Sequence, residues 1–309
     1  MSRILKTTTT LFGLILGLIN PLLAQDDSWK SLVSLDSLNT NGKVNATFKT
    51  TRLINAQSIE TVKAHTLDLR ISHRFGNENM GIHSLYGLDA ASDIRIALEY
   101  GVSERLTVGV SRSRIKENLE GLIKYRLLMQ TENGSMPLSV TLFANSAMTP
   151  SVDYTANPAI GYVGDYSTFS HRMSYTYQML IARKFSRNFS LQLMPSLVHR
   201  NFVADPADKN DIISMGAGGR FKFSKRSALV VDYFYNVNPG NGNRSSNSNL
   251  KFYNPLGIGW EIETGGHVFT LMFSNAAGII ENEFIPNTTD SWTKRGFKFS
   301  FDISRGFKI

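Results

Sequence analysis

The sequence contains no cysteine. Disulfides, thiolate metal sites and a lipid-modified N-terminal cysteine are therefore excluded together. Long hydrophobic runs are missing too. The apolar stretch 11–19 is broken by glycines and is about half the ~20 residues that a spanning helix requires. Nor does a basic stripe interleaved with aromatics occur. The formal net charge of +8 thus argues for no nucleic-acid partner and is read as scattered loop and lumen lysines and arginines. Of nine prolines, Pro195 alone falls in the interior of a predicted strand.

What is present begins with a secretory signal over residues 1–24. Arg3 and Lys6 supply the positive start, the short apolar stretch follows, and Pro21-Leu22-Leu23-Ala24 ends in a small residue, which places cleavage after Ala24. Residues 25–65 form a polar leader. A short strand at 46–54 would make thirteen, and single-chain bacterial barrels have even numbers, so this stretch is read as a periplasmic or lumen-lying segment.

From residue 66 onward the chain alternates apolar and polar residues in twelve segments: 66–75, 92–100, 106–112, 119–130, 137–146, 171–184, 189–201, 212–223, 227–237, 256–262, 267–275 and 297–307. In the first, Leu67, Leu69, Ile71, His73 and Phe75 share one face, and Asp68, Arg70, Ser72 and Arg74 the other. A period of two over such lengths describes strands with one apolar and one polar face. A soluble β-sandwich alternates as well, but its strands average about 5–6 residues, whereas a tilted membrane crossing needs about 9–11. The apolar face carries no Asp, Glu or Lys in mid-strand, and its Arg112, Arg183 and Arg305 lie near strand ends, where long side chains snorkel. The connectors alternate long and short. The pattern predicts an all-β, twelve-stranded antiparallel up-and-down transmembrane barrel over residues 66–309, set in outer-membrane lipid. Phe75, Tyr233 and Tyr235 fit an outer aromatic girdle, and Tyr100, Phe189, Phe223 and Phe307 an inner one. Pro195 lacks the N–H a closed wall needs, which points to a local bulge.

Several ordered stretches carry a resemblance. They are Thr47-Phe48-Lys49-Thr50-Thr51-Arg52-Leu53-Ile54-Asn55, Leu67-Asp68-Leu69-Arg70-Ile71-Ser72-His73-Arg74-Phe75-Gly76, Gly121-Leu122-Ile123-Lys124-Tyr125-Arg126 and Gly265-Gly266-His267-Val268-Phe269. Together they resemble an uncharacterised β-barrel family, a domain of unknown function of Bacteroidota outer membranes. The resemblance implies the barrel and its location. It carries no activity and no assigned residue.

Chemistry is sparse. His73-Arg74, His171-Arg172 and His199-Arg200 all fall at the predicted outer rim, with the arginine toward the lumen. Arginine forks suit phosphates, but amphipathic side chains also simply populate an interface, and that plainer reading is preferred. A barrel hydrolase needs a serine, a histidine base and an orienting group together. His267 and Ser274-Asn275 sit at opposite ends of one strand, so neither catalytic residues nor a metal or other cofactor is predicted. By parity the lumen is basic, and Arg70, Arg95, Lys124, Arg126 and Arg220, with Glu99, Glu120 and Asp232, are the candidate pore-lining charges. Basic rings favour anions, which predicts a narrow passive or gated channel for small polar or anionic solutes. The alternative is a non-conducting scaffold or surface-interaction barrel whose charges pair internally, with its loops 147–170, 238–255 and 276–296 making the contacts. A lipid-modifying enzyme is the weakest reading.

Overall fold

The computed structural model describes residues 42–150, 166, 168–203, 205, 207–238, 244, 250–264 and 267–309. The signal peptide and the first part of the leader lie outside these residues, as do most of loops 149–172 and 239–255.

Twelve strands form one closed barrel: β1 (Thr66–Asn77), β2 (Ala91–Gly101), β3 (Leu106–Ser113), β4 (Leu119–Leu128), β5 (Ser139–Met148), β6 (Met173–Lys184), β7 (Phe189–Arg200), β8 (Asp211–Lys222), β9 (Ser227–Asn238), β10 (Leu256–Thr264), β11 (His267–Ser274) and β12 (Lys298–Lys308). Each pairs antiparallel with its sequence neighbours. β1 closes on β12 from Thr66↔Lys308 to Asn77↔Lys298, so no edge is left unpaired. Side chains follow the alternation read from the sequence. Ile96, Leu98, Val110, Leu193 and Trp260 are exposed on the outer surface, while Arg70, Arg95, Lys124 and Glu99 are buried inside.

The two ends differ. At one end lie the tight connectors 102–105, 185–188 and 223–226 together with 129–138; at the other lie 78–90, 114–118, 149–172, 201–210, 239–255 and 275–297. Two connectors depart from the expected bounds. β4 stops at Leu128 and β5 starts at Ser139, because residues 129–138 fold into their own turn, closed by Thr131 N donating to Met136 O at 2.9 Å. β6 starts at Met173, since Ser170–Arg172 form a 3-10 turn, which moves His171 and Arg172 out of the strand.

The predicted bulge at Pro195 is absent. Ladder pairs between β6 and β7 stop at Gln178↔Ser196 and resume at Ile181↔Leu193 in the same register, while pairing with β8 runs unbroken through Pro195↔Met215. The missing N–H therefore faces β6, and the wall tolerates a gap in pairing instead of inserting a residue.

Candidate functional site

The barrel interior is filled by two insertions, one from each end. From the short-turn end, residues 42–65 enter as a hairpin. Val44 N donates to Gln130 O at 2.8 Å, and Lys43 forms a β-bridge with Thr131. The chain then climbs, turns at 53–56 with Leu53 N donating to Ala56 O at 2.8 Å, and descends to β1. On the way down, Val62 N donates to the Thr107 hydroxyl at 2.9 Å and His65 N to Gly101 O at 2.8 Å.

One side of the hairpin is apolar. Phe48, Leu53, Ile54 and Ile59 share a buried cluster with Leu180, Met194, Val198, Phe234 and Met272 of the wall. The wall makes room with glycine: a methyl at Gly257 or Gly259 would collide with the Ile54 side chain. The turn itself is gripped by Asp232. Its carboxylate accepts the backbone N–H groups of Ile54 (3.1 Å), Asn55 (2.6 Å) and Ala56 (2.8 Å), and the Asn55 side-chain amide at 2.7 Å. This orients the turn by charge-assisted bonds inside a barrel wall.

The other side of the hairpin meets the lumen cations. Lys124 donates to the carbonyls of Thr51 (2.6 Å), Ser58 (3.2 Å) and Glu60 (3.4 Å). Lys184 donates to the carbonyls of Asn45 and Ala46 at 2.9 and 3.1 Å. Arg126 pairs with Glu60 at 3.0 Å, and Arg70 donates to the Thr51 hydroxyl at 3.0 Å while lying 3.9 Å from Asp302. Within the wall itself, Arg95 pairs with Glu120 at 2.8 Å and Arg220 with Glu261 at 2.6 Å, alongside the looser contact of Arg70 with Asp302. Glu99 is fully buried among Lys124, Arg70 and Arg95, with neither carboxylate oxygen hydrogen-bonded.

From the long-loop end, residues 275–297 fold inward around the helix α1 (Glu281–Asn287). Phe284 packs edge-on against Phe234 at 5.1 Å. Asn236 of β9 donates to Ile285 O at 2.9 Å, and Asn282 donates to the Ser174 hydroxyl at 3.1 Å. The insertions meet head to head. Arg52 of the hairpin donates to Ile279 O at 2.8 Å and pairs with Glu281 at 3.1 Å, both side chains wholly buried. Arg74 donates to the loop carbonyls of Ala276 (3.0 Å) and Gly278 (2.5 Å), and to Asn55 Oδ1 of the hairpin at 2.6 Å.

The three His-Arg pairs separate. Arg74 points inward, only 2% exposed, while His73 stacks on Phe301 at 5.5 Å on the outer face. His199 contacts Asp211 at 2.6 Å, and Arg200 pairs with Asp208 at 2.9 Å. His171 stacks on Phe202 at 5.4 Å, and Arg172 closes the 3-10 turn. No phosphate-sized convergence of the three arginines results. His267 and Ser274 occupy opposite ends of β11, and among the described residues no group of three or more His, Asp or Glu is placed to hold a metal. Arg52 and Glu281, absent from the sequence-derived candidates, are the residues that join the two insertions.

The sequence of residues 48–307 matches the family described as membrane-bound beta barrel domain (DUF5777). The chain belongs to that family. It is accordingly a membrane-bound barrel that crosses with strands, and the exposed outer surface described above is its lipid-facing surface. No curated protein matches the sequence. Solved structures similar to this barrel include the NanC porin (8% identity, TM-score 0.46, covering 79% of this chain and 100% of that one). The KdgM porin is similar at 7% identity and a TM-score of 0.43, covering 79% of this chain and 99% of that one. The COG4313 outer membrane channel from Pseudomonas putida F1 matches at 12% identity and 0.45, covering 81% and 98%.

Proposed function

We propose that the protein is a gated outer-membrane channel preferring small anionic solutes, with the hairpin 42–65 as its gate and the short-turn end toward the periplasm. One observation carries this reading. Lys124, Lys184 and Arg74 are satisfied by backbone carbonyls of the inserted segments and not by carboxylates. Withdrawing those segments removes the acceptors of three cations and turns their free donors to the lumen, a condition that favours anions, with Glu99 left as the wall acid beside Lys124. Arg126 would lose Glu60 as well, whereas the wall acid Asp232 would lose only neutral donors. The scaffold alternative draws its support from the internally closed pairs Arg95–Glu120 and Arg220–Glu261.

Because the chain has no cysteine, a single engineered pair can lock the gate. Leu53 lies against Gly218 of β8, so L53C with G218C tethers the hairpin to the wall when oxidised. In planar bilayers the reduced variant is expected to open in steps whose reversal potential in a KCl gradient indicates chloride over potassium, and the oxidised form to stay silent. Equal conductance in both redox states removes the gate. Silence of the reduced variant and of a hairpin-deleted barrel favours the scaffold.

A further inference from the structure

We infer that the meeting point of the two insertions is a binding site for a carboxylate-bearing solute, occupied in this closed form by the protein's own Glu281. The inference deepens the channel reading, since it names the class of anion that the outer vestibule would admit, and it rests on that reading only for passage onward through the barrel.

Arg52, Arg74 and Arg95 converge beneath the loop 275–297, each no more than 2% exposed. What they hold is a set of anion-like oxygens delivered by that loop: the Glu281 carboxylate and the Ile279 carbonyl on Arg52, the Ala276 and Gly278 carbonyls on Arg74. Arg95 lies close enough to interact electrostatically with Glu281. The loop thus places a carboxylate and three carbonyls where a ligand's oxygens would go.

Donor capacity is left over. Arg52 Nε and Nη1 and Arg95 Nη1 are buried and have no acceptor, and both Glu281 carboxylate oxygens lack a well-aligned donor. Three guanidinium nitrogens without an acceptor, beside a poorly aligned internal carboxylate, describe a site built for more acceptors than Glu281 provides. Buried donors normally find partners, and the planar fork of arginine matches a carboxylate with two parallel bonds. Opposing acids are present and partly committed. Glu120 neutralises Arg95 from the side through Nε and Nη2, and Asp93 is engaged by the Ser113 hydroxyl and by the N–H groups of Ile94, Arg114, Ile115 and Ile279.

The loop is the removable component. It is attached at the long-loop end, whereas Arg74 and Arg95 belong to the wall, so lifting the loop leaves the arginines at the floor of a vestibule opening on that side.

The test uses the full-length folded barrel in detergent and succinate as the probe. By titration calorimetry, Glu281→Gln is expected to bind succinate about tenfold more tightly than the wild type, since the competing internal carboxylate is gone. Adding Arg52→Gln should return binding to the wild-type level. Equal succinate affinity of E281Q and wild type overturns the proposal, as does a tightened affinity that persists when R52Q is added to E281Q. Heat-modifiable migration in SDS gels reports whether each variant is folded.

Should E281Q fail to fold, Asn282→Cys in the otherwise native chain provides a second measurement, because Asn282, on the loop's own helix, is 2% exposed while the loop is seated. Succinate should speed its maleimide labelling several-fold over sodium chloride of equal ionic strength, and indifference to succinate overturns the proposal. These readouts are independent of conductance. A barrel that binds but never conducts ends the channel reading alone; one that conducts and never binds ends the site alone.

Discussion

At the scale of single residues, the inner and outer faces of one strand obey opposite rules. Leu98 is 42% exposed on the lipid face, and Leu98→Arg should destabilise the barrel by about 2–4 kcal/mol near the midplane; urea unfolding in lipid vesicles measures it. Two strands away, Glu120→Gln should cost about 3–5 kcal/mol in the same assay, because it strands the buried Arg95 charge. A lumen that tolerated the second change would be far wetter than the burial of this pair indicates. The sequence was legible at this scale for orientation but not for partners. Parity placed Arg70, Arg95 and Lys124 on the inner face. It had no means of showing that a backbone segment would satisfy Lys124, since carbonyl acceptors leave no mark in residue identity.

At the scale of elements, the strands were readable because a lipid-facing wall enforces strict alternation, and their bounds agree within a few residues. The exceptions have local causes: the turn at 129–138, the 3-10 turn before β6, and an unpaired gap in place of a bulge at Pro195. The hairpin was ambiguous, because residues 43–65 form isolated bridges and carry no two-sided period. A signal did exist. β7 is apolar on both faces around Leu193-Met194, and β10 carries inward Gly257 and Gly259. An inward-facing Met or Gly in an otherwise polar lumen face marks a place where something apolar must dock.

The loops of the long-connector end make their own prediction. Burial pushes the Asp208 carboxyl up, but the Arg244 hydrogen bonds and the Arg200 charge outweigh it and hold the group below its ordinary 3.8. Across the rim, hydrogen bonding to Arg295 likewise holds Glu78 below its ordinary 4.5. Both folded values are depressed, so both contributions are complete above the unfolded values and disappear as pH falls through the folded ones. Hydrogen exchange in loops 78–90 and 201–210, corrected for intrinsic rates, should therefore be constant from pH 7 to about 5 and accelerate below about 4. Protection that is unchanged at about pH 3 would remove these pairs as the clamps.

At the scale of the whole molecule, closure depends on the last strand. β12 pairs with both β11 and β1, and deleting residues 297–309 opens two edges that lipid cannot satisfy. The truncated chain should fail to give heat-modifiable, protease-resistant barrel in vesicles; normal insertion would contradict the closed ladder.

The order of the chain adds something about how such an object is made. The hairpin that fills the lumen is contiguous with the first strand, and the seam beside it, β1 against β12, joins the two ends of the sheet. A growing sheet that curls around residues 42–65 has an apolar former to wrap, and only the final seam traps it. The filler would then be a mandrel before it is anything else, setting the curvature of β7 to β10 through contact with Leu53 and Ile54. A lumen filler that doubles as the mould of its own barrel can be altered at its tip only at the risk of misshaping the frame.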